Sequence, residues 1–182
     1  MAKDWGYIHV ITGSGKGKTT AALGTAIRAF GRGKKVVIIY FDKGGFDYGE
    51  RRVLDQLGLE YHVSGLDRID KKTGKFRFGV LPEDIAEAER GFAIVKRLSA
   101  GGQHDLMILD EINTTISLGM LKVENVMDWL DHKPENLEVI LTGRHAPAEL
   151  VAKADVVSDI QAVKHYFEKG VRARRGVEYW QG

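Results

Sequence analysis

Residues 12–20, TGSGKGKTT, are the stretch of this sequence best suited to chemistry. Three glycines and two lysines surround small hydroxyl residues, a composition too polar for a core and too rich in glycine for a stable helix. A glycine-rich loop between a strand and a helix presents backbone N–H groups to the oxygens of a phosphate. The stretch therefore predicts a phosphate-binding loop, with Lys18 on the phosphates and Thr19 on a Mg²⁺ ion.

The loop departs from the common phosphate-loop motif at its first glycine. That glycine would fall at position 12, where this sequence has Thr12, and Gly13 follows it. We therefore expect a variant loop whose phosphate geometry can differ from the common one. The alternative is a simple glycine turn with exposed lysines, but the strand pattern before the loop and the helix pattern after it favour the phosphate loop.

A second candidate is LMILDE, residues 106–111. An apolar strand that delivers an acidic side chain beside a phosphate loop commonly holds Mg²⁺, directly or through water. Asp110 and Glu111 are both candidates for that role. Two alternatives stay open at this point: a strand-end acid that caps the next segment, and an ATPase in which the second acid polarises a water molecule.

Strand and helix patterns alternate at least five times along the chain, and they supply the elements that these residues need. Apolar runs predict strands at residues 7–12, 36–41, 60–64, 106–109, 137–142 and 155–160. Helical spacing and helix start signals predict helices at residues 18–30, 47–57, 82 onward, 123–130 and 147–153. Residues 65–79 are a long polar connection, and the tail from residue 161 is expected to be irregular, with a small hairpin around Gly176.

This alternation predicts one α/β domain over residues 1–182, with a mostly parallel central sheet and helices on both faces. The strand at residues 155–160 is expected to be central in the sheet. Ligands of such sheets bind at the carboxyl ends of the strands. The glycine loop, residues 41–42, the Asp110–Glu111 pair and residues 142–144 all lie at carboxyl ends, so we expect these four polar groups to meet at one edge.

The composition excludes several classes of protein. The chain has 182 residues, 43% hydrophobic and 29% charged, and a net charge of +2 that does not indicate nucleic-acid binding. It has no cysteine, which excludes disulfides, thiol catalysis and thiolate metal sites. The sequence shows neither a signal-peptide h-region near its start nor an apolar run of membrane-spanning length. We therefore expect a cytoplasmic protein that binds neither nucleic acid nor membrane.

Four stretches of the sequence resemble the P-loop-type ATP:corrinoid adenosyltransferases, which act on cob(I)alamin or cob(I)yrinic acid a,c-diamide. They are TGSGKGKTTAALGTAIRA at residues 12–29, LDEIN at 109–113, LTGRHAPAEL at 141–150 and VKHYFEKGVRARRGVEY at 163–179. The last two are the more specific, since generic P-loop ATPases carry nothing like them. The shifted first glycine is also a feature of this family. The resemblance implies a P-loop NTPase-like, RecA-like fold.

The resemblance also implies an activity. Family members transfer the 5′-deoxyadenosyl group of ATP to the cobalt of a reduced corrinoid, in adenosylcobalamin synthesis or salvage, and release the whole triphosphate. Because Co(I) attacks C5′ of the ribose, the protein supplies no nucleophile or base. Its part is to stabilise the charge of the leaving triphosphate and to align the attack. ATP is expected to lie reversed, with its γ-phosphate where other P-loop proteins place the α-phosphate.

Carried over by position, the family's site residues fall on three groups in this sequence. The resemblance implies catalytic roles for Lys18, Thr19 and Glu111, and Thr19 and Glu111, with Asp110 as a further candidate, would hold Mg²⁺. Arg28 and Arg144 are further candidates for nucleotide contact, although Arg28 can equally be a solvated helix residue. His165 is expected to be a structural histidine bonded to the backbone. The residues expected to cradle phosphate are Gly13, Ser14, Gly15, Lys16, Gly17, Lys18, Thr19 and Thr20.

The corrinoid side departs from the family. Its better-known members have an aromatic residue, often tryptophan, after the third strand, where it helps to expel the lower axial ligand of cobalt. Here the three tryptophans are elsewhere, at Trp5, Trp129 and Trp180. Phe76 or Phe78 could take this part if residues 65–79 form a lid over the corrinoid. The alternative is a surface hairpin that turns at residues 73–75 and packs the phenylalanines on the sheet.

Partners follow from the resemblance alone, which implies a homodimer and a flavodoxin-like electron donor. The competing hypothesis is a P-loop ATPase or regulatory nucleotide switch in which Glu111 activates water. The products distinguish the two hypotheses: triphosphate and an adenosylated corrinoid in one case, ADP and phosphate in the other.

Overall fold

The computed structural model describes residues 4–45, 48–68, 77–171, 174, 176 and 177. Its strands are β1 (Ile8–Thr12), β2 (Val36–Tyr40), β3 (Glu60–Val63), β4 (Leu106–Asp110), β5 (Glu138–Thr142) and β6 (Val156–Asp159). Its helices are α1 (Lys18–Phe30), α2 (Gly49–Leu57), α3 (Pro82–Ala100), α4 (Ile112–Ser117), α5 (Val123–His132) and α6 (Ala148–Lys153), followed by a 3₁₀ helix (Tyr166–Lys169). Among the described residues, no helix is both long and apolar enough to cross a membrane.

The six strands form one sheet in the order β3-β2-β4-β5-β1-β6. All five pairings between neighbouring strands of this sheet are parallel. One strand, β5, separates the strand that leads into the glycine loop from the strand that ends in Asp110, as in the RecA-like arrangement. The predicted α/β class with a parallel central sheet is therefore confirmed.

The centre of the sheet is apolar on both faces because helices cover both sides. Strands β2, β4 and β5 are buried over all five residues of each, which explains why they are nearly unbroken apolar runs in the sequence. Alternate strand residues enter two separate cores. One core joins Val37 and Met107 to Phe92 and Trp129, and the other joins Ile38 and Ile108 to the small residues of α1 and to Leu54.

Helical spacing in the sequence predicts an apolar face on each of two helices, formed by Ala22, Leu23, Ala26, Ile27 and Phe30 in α1 and by Ile85, Ala88, Phe92 and Val95 in α3. Ala22 and Ala26 of α1 and Ala88, Phe92 and Val95 of α3 are buried as expected. Ile27 is 52% exposed and Ile85 is 37% exposed, so their assignment to the buried faces is wrong. Each lies at the margin of its helix stripe, where helical spacing alone does not show how far the packing surface extends.

Three other predictions need correction. The strand at residues 155–160 is not central: β6 is an edge strand that pairs with β1, and its four residues are exposed. Helix α4 was not predicted, because its INTTIS sequence is short and rich in β-branched and polar residues of low helix propensity. The tail contains a 3₁₀ helix where irregular structure was expected. Much of the hairpin expected around Gly176 lies outside the described residues.

The long polar connection is only partly described, because Phe76 and the expected turn at residues 73–75 lie outside the described residues. Its two described ends are joined, since the Arg77 N–H donates to the Arg68 carbonyl at 2.7 Å. Arg68 also donates to Asp42 at 2.7 Å, and Arg77 forms a bidentate pair with Asp84 at 2.7 and 2.9 Å. Phe78 is 87% exposed, so the alternative in which the phenylalanines pack on the sheet is wrong for Phe78.

Candidate active site

The carboxyl ends of the strands carry unusual backbone geometry. Among the described residues, the three non-glycine residues with positive φ are Asp42 (51°), Glu111 (63°) and His145 (55°). Asp42 follows β2, Glu111 follows β4 and His145 follows β5, so all three lie at the same edge of the sheet. Non-glycine residues adopt this conformation at a cost and often do so at functional sites. The backbone conformation therefore indicates that the functional site lies at the carboxyl ends of the strands.

The glycine loop connects β1 to α1 and packs against the chain that follows β6. The Gly15 N–H donates to the Ile160 carbonyl at 2.7 Å, and a Cβ on Gly15 would lie 2.7 Å from the same oxygen. Gly17 has a φ of 121° and nothing within 4 Å of where its Cβ would be. The loop is thus closed on the β6 side and open at Gly17, where the first N–H groups of α1 have no partner within the helix.

Lys18 begins α1 and holds the loop in shape. Its side chain is buried, and its ammonium donates to the carbonyls of Gly13 at 2.8 Å and Gly15 at 2.7 Å. Burial lowers the pKa of Lys18, and the positive charge of Arg144 lowers it further. An ammonium has three donors, so one remains for an anion that enters the loop.

Asp110 ends β4 and is almost fully buried, with a side chain 1% exposed. Its Oδ1 accepts a hydrogen bond from the Thr142 hydroxyl at 2.6 Å. Its Oδ2 accepts from the Thr19 hydroxyl at 3.3 Å and from the ammonium of Lys43. The phosphate loop, β4 and β5 are therefore connected through this one carboxylate.

Glu111 follows Asp110 and is held by a second set of contacts. Its N–H donates to the Thr142 hydroxyl at 3.0 Å, and its Oε2 accepts from the Thr114 hydroxyl at 2.6 Å. Thr114 also accepts from the N–H of Arg144 at 3.0 Å, so the chain after β5 is tied to the same carboxylate. The left-handed backbone of Glu111 turns the chain into α4, which brings Thr114 back to the carboxylate.

The positively charged side chain of Lys43 lies between the oxygens of Thr19, Asp110 and Glu111. The ammonium of Lys43 donates to Asp110 and, at 2.9 Å, to the Thr19 hydroxyl, and it lies 3.7 Å from Glu111 Oε1. Burial lowers the pKa of Lys43, but the charges of Asp110 and Glu111 outweigh burial, and the pKa lies above the ordinary value. The lysine is therefore an ammonium ion at this place.

The oxygens around Lys43 fit a magnesium ion. A hydroxyl and two carboxylates are hard oxygen ligands of the kind that Mg²⁺ takes, and they surround a positive charge in the structure. Among the described residues there is no group of three or more His, Asp or Glu side chains that could hold a metal by itself. A Mg²⁺ ion here would accordingly take its other ligands from phosphate and water, as this ion commonly does.

The structure brings together most of the site residues predicted from the sequence. Lys18, Thr19, Asp110 and Glu111 meet at one edge, with Arg144 beside them, while Ser14, Lys16 and Thr20 are exposed around the loop. Arg28 is not brought to the loop: it lies in the last turn of α1, about 15 Å further along the helix axis from Lys18. Its role in nucleotide contact stays a prediction.

Two contributors to the site were missed in the sequence, Lys43 and Thr114, whereas Thr142 was expected at this edge without a stated role. Thr142 and Lys43 stand at or just after the carboxyl ends of β5 and β2, so their position at strand ends was a usable signal. Thr114 lies three residues after Glu111 on a helix that was not predicted. His165 has the structural role expected for it, since its Nδ1 accepts from the Phe167 N–H at 3.1 Å. Trp180 lies outside the described residues.

Comparison with known proteins identifies the family to which this chain is similar. A family model described as ATP:corrinoid adenosyltransferase BtuR/CobO/CobP matches residues 4–179. The corrinoid adenosyltransferase of Escherichia coli K12 and corrinoid adenosyltransferase CobA of Salmonella typhimurium are each 37% identical over 174 residues, 96% of this chain and 86% of theirs. The corrinoid adenosyltransferase of Pseudomonas aeruginosa is 34% identical over 176 residues, 96% of this chain and 84% of its own. Among solved structures, a KaiC-like protein of Pyrococcus horikoshii aligns over 85% of this chain and 73% of its own, with a TM-score of 0.46 and 17% identity.

Proposed function

This chain belongs to the ATP:corrinoid adenosyltransferase family. From that premise we propose which of its residues bind the triphosphate and which bind the metal ion. The chain transfers the 5′-deoxyadenosyl group of ATP to the cobalt of a reduced corrinoid, a step of cobalamin synthesis. The C5′–O bond of ATP breaks and a cobalt–carbon bond forms. Cobalt provides both electrons of the new bond, and the triphosphate leaves with the electron pair of the broken one.

The triphosphate is held by the glycine loop and the first turn of α1. The N–H groups from Gly13 to Thr20 would face its oxygens, except that of Gly15, which donates to the Ile160 carbonyl. The ammonium of Lys18 adds a charged donor at the open side of the loop. Arg144 adds a second positive charge near Lys18, an arrangement supported by its effect on the pKa of Lys18. These donors stabilise the leaving group most strongly as the C5′–O bond breaks and its negative charge grows. ATP lies reversed in the loop relative to other P-loop proteins.

Thr19, Asp110 and Glu111 are the residues that would hold a Mg²⁺ ion. The bound ion neutralises part of the charge of the triphosphate. Thr142 and Thr114 orient the two carboxylates through hydrogen bonds of 2.6 Å each, so they act as positioning residues. The single observation that carries this assignment is the convergence of Thr19, Asp110 and Glu111 around one cation at the mouth of the phosphate loop.

The same geometry argues against water activation by Glu111. A general base needs an oxygen that can take a proton from water. In this site Glu111 Oε2 accepts from Thr114, and Oε1 faces the ammonium of Lys43 at 3.7 Å. Both oxygens are thus directed at donors or a cation, which suits a metal ligand better than a base.

The enzyme is further proposed to work as a homodimer in the cytoplasm, with a flavodoxin-like protein as its electron donor. The family resemblance supports the dimer and the electron donor, and the lack of cysteine supports the location because it fits a reducing compartment. Analytical ultracentrifugation tests the dimer, and reduction of Co(II) substrate by a purified flavodoxin with its reductase tests the donor.

Product analysis tests the proposed function. Protein, Mg-ATP and chemically reduced corrinoid should yield triphosphate and a corrinoid whose visible spectrum reverts under light, because the cobalt–carbon bond is photolabile. Lys18→Ala should lose both products together. ADP and phosphate with an unchanged corrinoid spectrum would contradict the proposal and favour the ATPase.

A further inference from the structure

The ammonium of Lys43 occupies the place proposed for the metal. It contacts Thr19 Oγ1 at 2.9 Å and Asp110 Oδ2, and it lies 3.7 Å from Glu111 Oε1. These are oxygens of the three residues proposed to hold Mg²⁺. Two positive charges repel strongly where solvent screening is low, and the Lys43 side chain is only 15% exposed. The ammonium and the metal ion therefore cannot occupy this place together.

The backbone of Lys43 is fixed. Arg51 donates to the carbonyl of Lys43 at 2.6 Å and to that of Gly45 at 2.6 Å. The guanidinium of Arg51 is buried, and it lies over the rings of Tyr40 at 5.0 Å and Tyr48 at 4.4 Å. Movement of the backbone would break these contacts. The lysine side chain is a flexible four-carbon stem, so its ammonium can leave the site by rotation about side-chain bonds.

The charge balance of the site favours an exchange of cations. Asp110, which is buried, and Glu111, which is partly buried, carry two negative charges, and Lys43 compensates one of them. A Mg²⁺ ion would compensate both. The ammonium that it displaces then needs another anion, and the triphosphate bound to the same ion supplies one. A phosphate oxygen on the metal lies about 2.1 Å from the ion, so it comes within a few ångströms of the present position of the ammonium.

We propose that Lys43 is an internal counter-cation that Mg-ATP replaces: its ammonium neutralises Asp110 and Glu111 before the metal binds, then moves onto the triphosphate and stabilises it as it leaves. This inference rests on the proposed function, since it requires the metal and the triphosphate at this edge. It explains why a partly buried lysine lies beside two carboxylates that are themselves proposed to bind a cation. It also makes metal and nucleotide bind cooperatively, because bare metal must expel Lys43 without giving it a new partner.

The exchange predicts opposite changes in two affinities. Lys43→Met keeps most of the apolar stem and removes the charge. Its affinity for Mn²⁺ alone, measured by electron paramagnetic resonance without nucleotide or corrinoid, should rise at least tenfold. Its affinity for Mn-tripolyphosphate, measured by calorimetry, should fall, as should the rate of adenosyl transfer at saturating Mg-ATP. Lys34→Met, which removes a lysine paired with Asp105 at 3.2 Å, should change neither affinity.

Two further variants keep the test decisive. Lys43→Gln keeps a hydrogen-bond donor for Asp110 and loses the charge, so it should reproduce the gain in Mn²⁺ affinity if Lys43→Met folds poorly. Lys43→Arg keeps the charge and should bind Mn²⁺ alone as weakly as the natural chain. Unchanged or weaker Mn²⁺ binding in both folded neutral variants would overturn the exchange. Because the Mn²⁺ titration uses neither ATP nor corrinoid, its failure is distinct from a failure of the proposed adenosyl transfer.

Discussion

One acidic residue is buried at the amino ends of the strands and another at their carboxyl ends, and the protein compensates the two charges in different ways. Glu138 begins β5 and is 9% exposed; its Oε2 accepts from the N–H groups of Gly6 and Tyr7, each at 2.7 Å, and its Oε1 contacts His9 at 2.6 Å. Asp110 ends β4 and is partnered by side chains, namely two threonine hydroxyls and the ammonium of Lys43.

The difference separates a structural acid from an exchangeable one. Backbone donors cannot leave without unfolding the strand, so Glu138 fastens the start of β1 to β5 permanently. A lysine side chain can leave by rotation, so the partner of Asp110 is able to give way to the metal ion proposed above. The backbone conformations agree with this division, because the non-glycine residues with positive φ in the described part of the chain, Asp42, Glu111 and His145, all lie at the Asp110 end.

The largest expected effect is the loss of ATP binding when the loop loses its lysine. Lys18→Ala removes a charged hydrogen bond worth about 1.5–3 kcal/mol, so the dissociation constant for Mg-ATP should rise about 10- to 150-fold by calorimetry. Lys34→Ala at the other end of the sheet should bind Mg-ATP normally. Unchanged affinity in Lys18→Ala would rule out the phosphate-loop assignment.

A pair of substitutions that neutralise the two buried acids tests the comparison directly. Glu138→Gln should lower the free energy of unfolding by about 2 kcal/mol, because two backbone N–H groups lose a charged acceptor, and should leave Mg-ATP affinity unchanged. Asp110→Asn should abolish the effect of Mg²⁺ on ATP binding. Urea unfolding and calorimetry on both variants measure the contrast. Weaker Mg-ATP binding in Glu138→Gln would break the comparison.

Asp84 extends the comparison of buried acids. It lies near the carboxyl ends of the strands, but its main partner is the guanidinium of Arg77. The bidentate pair with Arg77 holds the pKa of Asp84 below its usual value, against the opposing effect of burial. A carboxylate with a lowered pKa stabilises the fold above the pKa of the unfolded chain, and this contribution is lost as the pH falls through the lower, folded value. The stability difference between the natural chain and Asp84→Asn should therefore be larger at pH 6 than at pH 3 in urea titrations. Equal differences at both pH values would contradict the ion pair.

The smallest effect on stability is expected at Phe78. Because its side chain is 87% exposed, Phe78→Ala should change the free energy of unfolding by less than about 0.5 kcal/mol. If Phe78 covers the corrinoid and helps to expel the lower axial ligand, transfer starting from Co(II) under mild reductant should slow more than transfer from pre-reduced Co(I). Equal loss in the two assays would remove Phe78 from that role.

The sequence predicted the parallel sheet and most of the site because both depend on local patterns. Apolar runs marked β2, β4 and β5, and the glycine loop and the Asp110–Glu111 pair are contiguous motifs. The position of Lys43 just after β2 indicates the edge of the sheet where it lies, but its contacts depend on a meeting of α1, β4 and the chain after β2, which no local pattern contains. The edge position of β6 was missed for the same reason, since its apolar composition does not tell how many neighbours a strand has.

The central claim is that Glu111 holds a metal ion for the triphosphate and does not activate water. Its most direct test is the Mg²⁺ dependence of adenosyl transfer in Glu111→Gln, followed by the spectrum of the photolabile product. The account predicts that the Mg²⁺ concentration for half-maximal rate rises at least about tenfold while the rate of transfer falls. If Glu111→Gln keeps the natural Mg²⁺ requirement and its adenosyl transfer, and loses only a phosphate-releasing activity, the account is contradicted.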